Sequence, residues 1–213
     1  MIRNHEYVAQ LSYFTDTKGR IQDREGQLSY ELNFNTGDDI ELQYTRGFER
    51  LDDGFTVADA AFIPAGDYTA QELSAAYEFG PQRRASGELS ATRGTFYRGS
   101  RTAFEAQGRV EITSRVSLEP RIELNWIDLE AAAFRTTLAG TRLNFTATPR
   151  MLVAALLQHN STSASFDTNV RFRWEFTPGS DLFVVFSDGR DTDAPTSLQT
   201  RTFAVKIARL LRF

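Results

Sequence analysis

Apolar and polar residues alternate at period two along most of the chain, and a helical period is hard to find. From Phe166 to Phe176, residues Phe166, Thr168, Val170, Phe172, Trp174 and Phe176 share one face, and Asp167, Asn169, Arg171, Arg173 and Glu175 share the other. Val116, Leu118, Pro120, Ile122, Leu124 and Trp126 alternate in the same way with Ser117, Glu119, Arg121, Glu123 and Asn125. A third stretch sets Phe104, Ala106, Gly108, Val110 and Ile112 against Glu105, Gln107, Arg109 and Glu111. Successive side chains of a strand point to opposite faces, so each stretch reads as a strand with one apolar and one charged face.

Turn residues divide the chain into about twelve strands. They are placed near 5–16, 26–34, 40–50, 68–79, 85–97, 101–112, 116–127, 134–147, 150–159, 166–176, 181–188 and 199–213. Pro64, Pro81, Pro149, Pro178 and Pro195 fall in connections, as a residue without an amide proton must in a sheet. Pro120 falls inside a strand and predicts a bulge there. The connections alternate: tight turns at 35–39, 80–84, 113–115, 148–149 and 177–180, longer ones at 17–25, 51–67, 160–165 and 189–198. The expected fold is therefore all-β, an antiparallel meander forming a transmembrane β-barrel, as one domain over 1–213 or as the C-terminal part of a larger barrel. A soluble sandwich alternates too. Apolar stripes of about 9–11 residues, the span of a tilted transmembrane strand, and opposite faces crowded with ion pairs favour the barrel.

Composition narrows the chemistry. Among 213 residues there is no Cys and only two His, which excludes disulfides, thiolate chemistry and a multi-histidine metal centre. The net charge of -4 argues against a nucleic-acid partner. No apolar stretch approaches the length of a spanning helix. The opening residues Met1 to Glu6 lack an apolar signal segment, so the expectation is a cytosolic chain or a mature or truncated piece of an exported one. Of the 24 Lys plus Arg, only Lys18 and Lys206 are lysines. Arginine, less hydrated and able to grip carboxylates with two donors, suits crowded polar surfaces.

Aromatic residues gather near strand ends, among them Tyr7, Tyr13, Phe34, Phe79, Trp126, Phe145 and Phe176, as in the girdles of membrane barrels. At the C-terminus, Phe203, Val205, Ile207, Leu211 and Phe213 share one face. A terminal aromatic on such a strand looks like the sorting signal of bacterial outer-membrane barrels, read by the barrel-assembly machinery. The expected location is the bacterial outer membrane, and the expected partner the lipid bilayer.

Several segments resemble one family. They are Ile63 to Tyr68, Arg93 to Tyr97, Ser117 to Pro120, Asn125 to Leu129, Thr148 to Met151 and Ala154 to Gln158, with the longest running from Asn169 to Thr192. In order and spacing they are similar to the C-terminal barrel region of a bacterial outer-membrane family of unknown function. Its members carry a signal peptide and a periplasmic domain like a family-9 carbohydrate-binding module. The resemblance implies passage or docking of a solute, saccharide-related by analogy, and a chain lacking its upstream module. The alternatives are a structural anchor for that module and an outer-membrane hydrolase.

The candidate lining of the lumen follows from the alternation. Glu105, Arg109, Glu111, Glu119, Arg121, Glu123, Arg142, Asp167, Arg171, Arg173, Glu175 and Lys206 point inward, with Glu31, Glu41, Glu72 and Glu88. Mixed charges of this kind either form an ion-pair lattice or line a selective pore. No catalytic constellation and no cofactor is expected. His159-Asn160-Ser161 resembles in composition the catalytic residues of an outer-membrane phospholipase. Neighbours on one strand point apart, however, so it reads as a polar hairpin tip. Asp188, Asp191 and Asp193, and the pair Asp52-Asp53, read as solvated loops rather than calcium ligands. Gly94 and Gly99 mark a tight hairpin around Phe96 and Tyr97, and His5 carries no signal.

The face assignment predicts that Leu124→Arg costs about 2–4 kcal/mol of stability in lipid vesicles if Leu124 faces lipid near the midplane, while Glu123→Arg is tolerated far better. Equal losses in equilibrium unfolding would overturn the assignment.

Overall fold

A computed structural model describes residues 1–58, 60–194 and 198–210. Among these residues there are fourteen strands: β1 (Ile2–Thr15), β2 (Ile21–Phe34), β3 (Asp39–Leu51), β4 (Phe55–Val57), β5 (Ala61–Ile63), β6 (Gly66–Phe79), β7 (Ala85–Phe96), β8 (Gly99–Thr113), β9 (Val116–Leu129), β10 (Ala133–Thr148), β11 (Met151–Asn160), β12 (Ser165–Thr177), β13 (Ser180–Asp191) and β14 (Leu198–Ala208). Twelve of them form one sheet that runs in chain order from β1 to β14, skipping only β4 and β5, which pair with each other as a separate hairpin. The expected all-β antiparallel meander of twelve strands is the observed one.

Two elements differ from the expectation. The loop expected at 17–25 is a tight turn, because the Asp16 carboxylate accepts the Lys18 and Arg20 amides at 2.8 Å and the Arg20 guanidinium at 2.7 Å. Satisfying these donors locally lets β2 begin at Ile21, several residues earlier than expected. The loop expected at 51–67 contains the β4–β5 hairpin, too short for a period-two pattern to reveal. Pro120 lies exposed inside β9, and Pro195 lies outside the described residues, as do Leu211 and Phe213.

By contacts the chain divides into two compact units, Met1–Ala106 with Glu123–Thr136, and Gln107–Ile122 with the chain from Thr137 onward. In the first, register keeps like with like. Tyr7 pairs with Tyr30, Tyr30 with Leu42, Leu42 with Ala75 and Ala75 with Ala91 on one face. Glu6, Glu31, Glu41, Ala76 and Ser90 form the matching row on the other. A cluster of buried apolar residues also lies in this unit: Ala61, Ile63, Tyr68, Ile127 and Leu129, with Leu51, Phe96, Tyr97 and Phe134 packed around it. Tyr97 turns the chain between β7 and β8 at φ 51°. Its ring packs edge-on against Phe96, Tyr68 and Phe55, with centroids 4.8, 5.0 and 5.6 Å away. A Cβ at Gly99 would stand 2.0 Å from the Asp128 carbonyl oxygen, and one at Gly94 would stand 2.4 Å from that of Gln71. These glycines therefore serve close strand approach beside the hairpin.

In the second unit, Phe203, Val205 and Ile207 of β14 pair with Phe186, Val184 and Leu182 of β13 and share their apolar face. Ser180, the most deeply buried side chain described, accepts the Leu210 amide at 3.1 Å.

Asp38 ties two tight turns of the first unit together. It is 5% exposed. It accepts the Gly80 amide at 2.8 Å and the Thr36 hydroxyl at 3.0 Å, and pairs with the Arg83 guanidinium. The Gly80 amide, followed by the Thr36 hydroxyl and the Arg83 charge, holds this carboxyl below the 3.8 of a free one. A depressed carboxyl contributes stability above its unfolded value, and that contribution is lost as pH falls through the lower folded value. Asp38→Asn should lower the denaturant midpoint at neutral pH and remove part of the acid sensitivity below about pH 4. Unchanged midpoints across pH 2–7 would show that Asp38 holds nothing.

Candidate functional site

The charged face is the candidate site, and the ladder positions each residue on it. In the first unit, Glu31 stands opposite Glu41 across β2 and β3, and Glu72 of β6 opposite Thr45 and Gly94. Glu88 stands opposite Glu78. The Arg101 guanidinium reaches Glu72 at 2.8 Å and lies 5.9 Å from the Phe96 ring centroid. The Gln27 amide donates to Gln43, and Gln43 to Thr45, continuing the polar row. Asn125 donates to Glu123 at 3.1 Å.

In the second unit the predicted residues meet as a lattice. Arg109 lies 3.4 Å from Glu111 and 3.9 Å from Glu119, and Arg142 lies 3.8 Å from Glu119. The Asn144 amide donates to Glu119 at 3.1 Å. Arg173 donates to Asp181 at 3.0 Å and sits 5.8 Å from the Phe183 ring centroid. Arg171 donates to Asn169, and Asn169 to Ser187. Glu175 accepts the Gly179 amide, and Asp167 accepts the Ser165 hydroxyl. Lys206 stands opposite Phe183. Arg121 is also engaged, as is Glu105 of the first unit. A cleft of about 240 Å³ opens along this face, lined by Gln158, Asp167, Asn169, Ser187 and Thr200 among others. Facing donors and acceptors of both signs suit a hydrated polar solute. No group of three or more His, Asp or Glu placed for a metal occurs among the described residues.

Other singled-out residues do other work. His159 directs its ring at the backbone carbonyl of Ser165, the Ser161 hydroxyl accepts the Thr137 amide, and Asn160 caps the Thr162 amide. These are the bonds of a hairpin tip. Asp188 is not in a solvated loop. It lies in β13, 7% exposed, between Arg190 at 2.7 Å and Arg201 at 2.8 Å, because the ladder continues to Asp191. Asp191 accepts the Asp193 amide in a turn, and Asp52 accepts the Gln22 amide group. His5 stacks on Tyr30 with centroids 5.9 Å apart.

Sequence reasoning missed that part of the charged face is apolar. Tyr68, Phe96, Ile127 and Leu129 share the face of Glu72, Gly94 and Glu123, and the β4–β5 hairpin packs on them. A signal was present. The odd positions of β9 change from Glu123 and Asn125 to Ile127 and Leu129, as only a local cover over that end would require. Beside the cluster lies a cleft of about 200 Å³, lined by Asp23, Glu25, Glu49, Tyr68, Phe96 and Tyr97 among others.

The lattice is wet. Arg142 and Glu119 remain 54% and 31% exposed, so water screens their attraction. A double-mutant cycle on the pair should return about 0.2–1 kcal/mol, falling with added salt. A coupling of about 3 kcal/mol or more would instead mark a dry, buried network.

No family model and no curated protein matches this chain.

Proposed function

We propose that the sheet is an outer-membrane β-barrel, or strands of one, whose Arg- and Glu-lined face forms a hydrated passage or docking surface for a small polar solute. One observation carries this reading: large apolar side chains stand exposed side by side on one face of the sheet. Tyr7 is 77% exposed, Leu11 70%, Leu73 60% and Leu28 59%. Register places all four on the same face of β1, β2 and β6. In water such a contiguous apolar surface is unfavourable, and in hydrocarbon it is the stable arrangement. The backbone supports the same reading, since hydrogen-bonded strands satisfy their polar groups without water. A saccharide as solute rests on the sequence resemblance alone.

The β4–β5 hairpin favours a second reading, in which the passage is occluded and the barrel serves as an anchor. Its residues Ala61 and Ile63 bury against Ile127 and Leu129 on the charged face. Conductance separates the two. The refolded chain should migrate as a compact band on an SDS gel that shifts on boiling, and should give ion-conducting steps in planar bilayers. Replacing residues 55–63 by a short Gly-Ser linker should enlarge those steps if the hairpin narrows an open passage. A compact band without conductance in either form would support the anchor, and no shift on boiling would overturn closure of these strands into a barrel.

A further inference from the structure

Some arginines of the sheet are paired with carboxylates and others are not. On the charged face, Arg101, Arg109, Arg142 and Arg173 each pair with a carboxylate. On the apolar face of the first unit, Arg24, Arg46 and Arg93 are exposed and have no partner among the described residues. Their placement on that face follows from register. Arg24 stands opposite Tyr13 and Phe48, Arg46 opposite Leu11, through Gly26, and Gln71, and Arg93 opposite Leu73. Arg24 and Arg46 are diagonal neighbours on adjacent strands, about 7–8 Å apart. Only β6 separates Arg46 from β7, where Arg93 lies, a lateral distance of about 10 Å.

The position along the strands is as telling as the face. From the tight turns outward, the face carries Ile40, Leu42 and Tyr44 on β3, then Arg46; it carries Leu32, Tyr30 and Leu28 on β2, then Gly26 and Arg24. On β7 it carries Leu89 and Ala91, then Arg93. Guanidiniums thus interrupt the apolar face toward this end of each of these strands, with Phe48 beyond Arg46 on β3. Two carboxylates on this face are already engaged: Asp67 by Arg50 at 2.7 and 2.9 Å, and Asp52 by the Gln22 amide at 3.2 Å. An uncompensated guanidinium beside hydrocarbon is stable only at the interface, where an anion can meet it. Its donor fork matches phosphate oxygens.

We propose that Arg24, Arg46 and Arg93, with Gln71 between them, form a docking site for the phosphate of an anionic lipid headgroup in the leaflet that meets this end of the strands. The site rests on the membrane reading given above. It holds the phosphate outside the barrel wall, apart from the solute path, and fixes the depth at which the apolar band sits. The charge complementarity is one-sided: three unopposed guanidiniums face a lipid surface that supplies the negative charge.

The test uses the full chain refolded in nonionic micelles containing phosphatidylglycerol, followed by exchange into lipid-free detergent and mass-spectrometric measurement of retained lipid. The unaltered chain should retain phosphatidylglycerol, and Arg24→Gln/Arg46→Gln/Arg93→Gln should retain it about tenfold more weakly, as loss of charge-assisted bonds implies. The charge-matched control Arg84→Gln/Arg115→Gln/Arg150→Gln, in the tight turns, should retain it as the unaltered chain does. Equal loss in both triples would overturn the site in favour of general charge attraction. Release by millimolar inorganic phosphate would overturn the lipid and assign a free anion. If the triple does not refold, Arg46→Gln alone carries the comparison. Boiling-dependent migration, recorded on each sample, separates the two failures. A shifting band with no retained lipid defeats the site alone, and no shift defeats the membrane reading with it.

Discussion

Everything in this molecule depends on the antiparallel ladder keeping a period of two from strand to strand, with its register shifts near strand ends. A register slip of one residue would carry every apolar side chain of a strand to the charged face, so the alternation and the pairing enforce each other. The row from Tyr7 through Tyr30, Leu42 and Ala75 to Ala91 crosses five strands without changing character. Its counterpart from Glu6 through Glu31 to Glu41 sets carboxylates side by side. Like charges directly opposite are unfavourable, and a face that accepts them is one that water reaches.

The ends of the strands are held by specific bonds. Asp16 closes one turn with its own carboxylate, Asp38 joins two neighbouring turns, and Ser180 captures an amide beyond β14. Each uses a short polar side chain to satisfy backbone donors where the ladder stops. The β4–β5 hairpin is held differently, through Ala61 and Ile63 against Ile127 and Leu129. Among the described residues, it is here that apolar packing covers the charged face.

The charges divide by face in a way that bears on function. On the charged face, Arg101, Arg142 and Arg173 pair with carboxylates of other strands. On the apolar face, Asp188 balances Arg190 and Arg201, and Asp67 balances Arg50. Arg24, Arg46 and Arg93 have no carboxylate partner among the described residues.

The sequence by itself determined the twelve strands of the meander sheet, because side-chain direction in a strand is a local property that alternation displays directly. Alternation sets Glu119, Arg109 and Arg142 on the polar face of their strands, and in the structure they meet. Which of them meet was decided by the tertiary structure, since contact depends on the register between strands far apart in sequence. The same limit explains Asp188, whose place in a ladder rather than a loop is fixed by its opposition to Thr168 and Arg201. It explains the hairpin as well: three-residue strands carry no readable period, and their burial is set by the apolar ends of β6, β7 and β9. Local geometry wrote the pattern of the faces into the chain, and long-range pairing alone chose the partners upon them.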